Sequence, residues 1–351
     1  MNRRPSFCLV LLVWGLCQVQ AQAGAKSVYP FALPPAKAFD VLEDLTKISK
    51  VKVAVSKDER DLFAHIKDGE LRNYSFAEAA LIASGATDAG RRQKYLDQID
   101  QLETAARKEI AEAKSTKDKG KKLLQFLHAG PMAKGYALEQ TDLSGILDTN
   151  KFNCVSATVL YNILAQRLGM QAHGVRLPNH VFSVLEDAGQ LIVVETTSAR
   201  GFNAHRRLPR ETISELALVA SIYYNHGVSM IEKRKYHEAL VANFCALSLD
   251  PDDTEAARNA RAVLINWGLD LERAGKFEDA IFVSGLGLKL EPKNNILKNN
   301  LVAIYDSWAR THMDAGNWAE AIRVYEQGLG RFPGNGHLSN NLRYCKAQIA
   351  P

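Results

Sequence analysis

Lys151-Phe152-Asn153-Cys154-Val155-Ser156 opens an apolar stretch that Gly169 closes. Arg176-Leu177-Pro178-Asn179-His180-Val181-Phe182 and Val193-Val194-Glu195-Thr196-Thr197 follow it. The first segment reads as the start of a helix over 154–168, because Asn153 is a favoured N-cap and Gly169 a favoured C-terminal residue. A short strand at 172–177, a turn at Pro178-Asn179 and two longer strands at 181–186 and 191–197 come next. Asp187-Ala188-Gly189-Gln190 is the hairpin turn between those two strands. With Ala188-Gly189 as a two-residue loop, Asp187 faces Gln190, Phe182 faces Glu195, and His180 faces Thr197. Residues two apart share a face, so His180 and Glu195 lie on one side, offset by one pair.

Cys154 in the first helical turn sits among N–H groups that favour a thiolate. Taken alone a free cysteine is usually a small buried hydrophobe. Cys245 and Cys345, inside helical sequence, keep that plainer reading. His180 opens a strand after Pro-Asn, at the edge where a site would form, whereas its competitor His173 lies inside the short strand. A thiol, an imidazole to move its proton and an acid to orient the imidazole are the three groups that thiol acyl transfer requires.

The order Cys154, His180, Glu195, carried on helix, strand and strand, resembles the transglutaminase-like branch of papain-like cysteine enzymes. It is especially similar to the bacterial transglutaminase-core proteins. The resemblance covers roughly residues 76–200. It implies an α+β cysteine-enzyme core with Cys154 as nucleophile, His180 as general base and acid, and Glu195 as the orienting acid. The family usually has aspartate followed by proline at the third position, and this chain has Glu195-Thr196. An oxyanion hole is expected from the Cys154 backbone N–H and an upstream donor, with Gln140 and Asn150 as candidates and Asn153 occupied as the cap.

The 351-residue chain is 46% hydrophobic and 24% charged, which is the composition of a globular protein of two or three domains. Residues 1–23 read as a secretory signal peptide: Arg3 and Arg4, an apolar core at 7–16, and Ala21-Gln22-Ala23 before Gly24. The apolar core is about ten residues, too short for a spanning helix. Cleavage would remove two arginines and no acid, taking the formal charge from +5 to +3. That balance, and a basic run at 114–122 interrupted by Asp118, describe a solvated helix face and argue against nucleic-acid binding. The three cysteines beyond the leader form no disulfide framework, and no spacing of Cys and His suggests a metal site or a cofactor. Arg200, Arg206, Arg207 and Arg210 read as a solvated linker before the last region.

Residues 24–75 are mixed, with Val51-Lys52-Val53-Ala54-Val55 as a strand-like alternation. From Ser75, with Glu78 completing a capping box, the pattern turns helical at 76–83, 88–113 and 121–128. The domain expected to carry the three residues spans 76–212. Residues 213–351 are a repeat array. Tyr236-His237-Glu238-Ala239 recurs as Phe277-Glu278-Asp279-Ala280 and Trp318-Ala319-Glu320-Ala321, each 41 residues on, and Pro251, Pro292 and Pro333 keep that interval. The order of small, aromatic, Ala and Pro positions resembles the tetratricopeptide repeat. The usual period of that family is about 34 residues, and the surplus falls in sequence that reads as lengthened first helices. The resemblance implies an all-α solenoid of three units with a capping helix that binds a protein or peptide.

Taken together these readings describe a secreted or periplasmic thiol enzyme acting at an amide, a peptidase, amidase or transglutaminase. The alternative is a non-catalytic binding or scaffold protein that has kept the fold.

Overall fold

The structure is a computed structural model that describes residues 31, 39–40, 42–67, 70–203 and 212–349. The expected leader and the arginines at 206, 207 and 210 lie outside the described residues. In the N-terminal region, short helix α1 (Thr46–Ser49) and helix α2 (Lys57–Ala64) precede a ribbon of β1 (Ile66–Lys67) and β2 (Glu70–Leu71). Residues 52–55 form no strand, contrary to their alternating pattern. They connect α1 to α2 and bury Val55 without a partner strand.

Helix α3 (Phe76–Ala83) starts at the expected capping box, with the Ser75 hydroxyl taking the Glu78 N–H and the Glu78 carboxylate taking the Ser75 N–H. Every residue of this helix except Glu78 is buried, so it forms the floor of the core. Helix α4 (Ala89–Glu109) is polar and turns only Tyr95, Ile99 and Ala106 fully inward, at spacings of four and seven. Helices α5 (Thr116–Ala129), α6 (Leu143–Thr149) and α7 (Cys154–Arg167) complete the helical layer. Helix α7 is enclosed: residues 155–165 are all buried.

Strands β3 (Gln171–Leu177), β4 (His180–Asp187) and β5 (Gln190–Val194) form an antiparallel sheet in the order β3-β4-β5. The register pairs Asp187 with Gln190 and Ser183 with Val194, as the two-residue turn requires. Ala188 and Gly189 both have positive φ, at 49° and 78°, the conformation of a type I′ hairpin turn. Ala172, Val181, Leu185 and Val194 join the large core that includes α7, while Val175, Phe182, Val184 and Val193 form a separate cluster. On β4 this is the period-two alternation of a strand covered on both faces.

The C-terminal region is all-helical: α8 (Glu215–Glu232), α9 (Tyr236–Leu249), α10 (Thr254–Arg273), α11 (Phe277–Leu290), α12 (Asn295–Asp314), α13 (Trp318–Arg331) and α14 (Gly336–Gln348). Consecutive helices pack against each other. The starts of α9, α11 and α13 preserve the 41-residue interval, and α10 and α12 are 20 residues long against 14 for their partners. Glycines at the crossings allow close approach. A Cβ at Gly227 would lie 2.5 Å from the Asn243 side chain, and one at Gly268 would lie 2.5 Å from Ser284 Oγ.

The large core runs without a break from the N-terminal region through α7 and the sheet into α8–α11, whereas Leu301 to Cys345 form a smaller core of their own. Polar ties cross the same junction. Arg176 on β3 donates to Asp250 at 3.1 Å, to Asp253 at 3.0 Å and to the Ala217 carbonyl at 2.6 Å. Tyr223 donates to Glu59 at 2.9 Å, and the His226 ring meets Asp142 at 2.7 Å. Helix α8 is therefore part of the first core as much as of the helical array. Among the described residues no helix is long and apolar enough to cross a membrane.

Candidate active site

Asn153 sits in extended conformation and its Oδ1 accepts from the N–H groups of Val155 and Ser156. Ser156 returns the bond, its hydroxyl oxygen accepting from the Asn153 N–H, so a full capping box fixes the start of α7. This leaves the Cys154 N–H outside the cap, at the positive end of the helix. The start of α7 is further pinned from outside. Asn153 Nδ2 donates to the Leu138 carbonyl at 2.9 Å, the Asn153 N–H to the Gln140 carbonyl at 3.1 Å, and Ser156 Oγ to that same carbonyl at 2.6 Å. Cys154 is partly exposed, while Cys245 and Cys345 are buried.

The face of α7 below Cys154 carries two polar rungs at helical spacing. The Thr158 hydroxyl meets the Val181 carbonyl at 3.3 Å and the Thr196 hydroxyl at 2.8 Å. One turn further, Asn162 Oδ1 accepts from Ser183 Oγ at 2.6 Å. Cys154, Thr158 and Asn162 are four residues apart and so lie in one row. The Thr158 rung ties the helix that begins at Cys154 to the residues directly after His180 and Glu195.

His180 opens β4. Its Nε2 lies 3.0 and 2.9 Å from the two Glu195 oxygens, and its ring stacks on Phe182 at 6.0 Å. Nε2 is committed to the carboxylate. Hydrogen bonding with Cys154 first, then with Glu195, pushes the His180 pKa up to about 9, against a burial effect in the other direction. The imidazole has a thiol and a carboxylate as neighbours, an arrangement that favours its protonated form.

Glu195 is buried, and the β4–β5 ladder has ended at Val194. The strand expected to run to Thr197 stops here because the Glu195 N–H turns away to the Gly201 carbonyl at 2.9 Å. Gly201 is required for this approach, since a Cβ there would lie 2.1 Å from the Glu195 carbonyl oxygen. Released from the ladder, Glu195 Oε1 also accepts from the Thr197 hydroxyl at 2.7 Å. Thr197, Thr196 and Thr158 are supporting residues that the sequence reading did not single out. The four-residue spacing of Cys154, Thr158 and Asn162 was the available signal for the helix side.

The two upstream oxyanion candidates are engaged elsewhere. Gln140 Oε1 accepts from Thr149 Oγ1 at 3.2 Å and packs over Gly145, because the residue's backbone carbonyl is what anchors α7. Asn150 caps α6 in the left-handed region, at φ 59°, and its Nδ2 donates to the Gly130 carbonyl at 3.3 Å. The side chain that comes up to the thiol from upstream is Tyr136, whose phenol interacts with Cys154. Its position comes from a strand-like pairing of 135–137 with 152, in which the Ala137 N–H donates to the Phe152 carbonyl at 2.8 Å. His173, the rejected histidine, sits 4.0 Å from Glu186 at the far end of the sheet. Among the described residues no cluster of His, Cys, Asp and Glu could hold a metal ion.

No curated protein matches this chain. The family model of the transglutaminase-like superfamily matches residues 93–207, the stretch that holds Tyr136, Cys154, His180 and Glu195. A helical layer over a small antiparallel sheet, with a cysteine at a helix start facing a histidine on a strand, thus carries a transglutaminase-like domain over residues 93–207.

Proposed function

We propose that this protein is an exported thiol-dependent acyl-transfer enzyme that acts on an amide bond, with its C-terminal helices serving as a tetratricopeptide-like module for a protein or peptide. The observation that carries the reading is the chain Cys154–His180–Glu195, with the thiol at a capped helix start and the imidazole held between sulfur and carboxylate. In the reaction, the Cys154 thiolate attacks the amide carbonyl and a tetrahedral oxyanion forms. The His180 imidazolium gives its proton to the leaving amine as the C–N bond breaks, which leaves a thioester on Cys154. The neutral imidazole then takes a proton from water or from a second amine, which resolves the thioester and restores the thiol pair. Glu195 keeps the imidazole in orientation and stabilises its charged form.

Export rests on the charged, apolar and small-residue order of residues 1–23, and N-terminal sequencing of the mature protein should begin at Gly24. The repeat reading rests on the 41-residue interval shared by sequence motifs and helix starts. The site is tested with iodoacetamide on the folded protein, because burial raises the pKa of both Cys245 and Cys345. Cys154 should be alkylated first. Equal rates at the three cysteines would sink the enzyme and leave the non-catalytic binding protein.

A further inference from the structure

We propose that Tyr136 is a catalytic residue of this site, its phenol donating to the Cys154 sulfur at rest and to the substrate's oxyanion during acyl transfer. The proposal rests on the thiol-enzyme reading above. It starts from a gap in that reading: an oxyanion needs a second donor beside the Cys154 N–H, while the Asn150 amide donates to the Gly130 carbonyl and the Gln140 side chain is tied to Thr149.

Tyr136 is delivered to the site by backbone. Gly135 accepts from the Phe152 N–H at 3.3 Å, and the Phe152 carbonyl accepts from the Ala137 N–H, so residues 135–137 run beside the residues that lead into Cys154. The Tyr136 ring stands edge-on to Phe152, with centroids 6.0 Å apart. Phe152 is itself braced from the other side by His128 at 5.4 Å, whose Nε2 meets the Thr196 carbonyl at 3.0 Å. The phenol is thus set by the same framework that sets Cys154 and the segment after Glu195. Tyr136 is also among the few large apolar side chains left exposed, at 52%. Leu138 and Leu177 are exposed as well, one beside Asn153 and one paired with His180. A structural tyrosine would bury its ring; this one keeps its ring open beside Cys154. Burial first, and then the sulfur, raise the phenol's pKa, so it remains a donor throughout the neutral range.

Two probes separate the roles of the phenol. Iodoacetamide is displaced at carbon and forms no oxyanion. p-Nitrophenyl acetate does form one: the thiolate adds to the ester carbonyl, the π pair moves to oxygen, and collapse expels p-nitrophenolate and leaves S-acetyl-Cys154. Water then releases acetate, with His180 taking the proton. Both reactions are followed on the full-length protein, wild type and Tyr136→Phe, at the pH where alkylation has reached its plateau. Phenylalanine keeps the ring on Phe152, and thermal unfolding checks that the fold is retained. Tyr136→Phe is expected to slow the p-nitrophenolate burst about 100-fold while plateau alkylation changes by less than about threefold. Equal slowing with both probes, or no change in the burst, overturns the proposal. Faster alkylation with an unchanged burst also overturns it, and identifies the phenol as a cover over the thiol. A wild-type Cys154 no more reactive than Cys245 overturns the thiol-enzyme reading and this proposal with it. A reactive Cys154 indifferent to Tyr136→Phe overturns the proposal alone.

Discussion

Glu195→Gln removes one negative charge from the site and keeps the shape of the side chain. The amide oxygen can still accept from His180 Nε2 and from the Thr197 hydroxyl, which now reach the carboxylate at 2.9–3.0 and 2.7 Å. What is lost is the charge that favours the imidazolium. His180 is raised from 6.5 to about 9, by the Cys154 bond first and by Glu195 second. A shift of that size corresponds to about 3 kcal/mol at most between the two protonation states, and the Glu195 share is of order 1 kcal/mol. The sign follows from the raised folded-state pKa. The stabilisation is fully present below about pH 6.5 and disappears as pH rises through 9. Urea unfolding should therefore show Glu195→Gln destabilised by about 1 kcal/mol at pH 6 and nearly neutral at pH 10. The rate of iodoacetamide alkylation against pH is the matching functional assay. In Glu195→Gln the alkylation rate below pH 9 should fall about fivefold, because loss of the carboxylate charge weakens the imidazolium that pairs with the sulfur. Superimposable alkylation profiles, together with equal stability changes at both pH values, would refute the orienting role of Glu195.

Two further outcomes follow from the packing. Gly201→Ala places a methyl against the Glu195 carbonyl, at 2.1 Å before any relaxation. It should displace Glu195 and reproduce the altered alkylation profile of Glu195→Gln with His180 and Cys154 intact; a wild-type profile would show that the turn after β5 does not control the site. Arg176→Met leaves Asp250 and Asp253 facing each other, with the Asp253 side chain only 3% exposed. Breaking a partly buried ion pair from one side should cost about 3 kcal/mol in urea unfolding at neutral pH. The loss should shrink as the pH is lowered into the carboxylate range, because burial raises the pKa of Asp250 and protonation removes the repulsion. A loss that does not change with pH would contradict this account of the junction.

The features that the sequence alone determined are those whose cause is local. Asn153 and Ser156 define the start of α7 because a helix N-terminus needs acceptors for its free N–H groups, and both are within three residues of it. Ala188-Gly189 sets a two-residue turn, and a two-residue turn sets the register of β4 against β5. Continued past Val194, that register puts His180 and Glu195 on one face; the ladder itself ends at Val194, and the two meet through the Glu195 side chain. The 41-residue interval of the C-terminal helices is likewise carried by small and aromatic residues that each helix crossing needs. Other features depended on contacts between segments distant in sequence. Residues 52–55 have a strand's alternation and no partner, so they remain irregular. Gln140 had the right chemistry for an oxyanion donor, but its carbonyl anchors α7 and its side-chain oxygen accepts from Thr149 on α6. Tyr136 comes beside Cys154 only because residues 135–137 fold back along Phe152, a pairing that no periodicity announces. The half-buried Arg176 joins the sheet to α8, 41 residues on, and to the loop after α9, more than seventy residues on. Spacing along the chain specifies caps, turns and faces; which side chains meet across the core depends on packing, and that is decided only when the whole chain has folded.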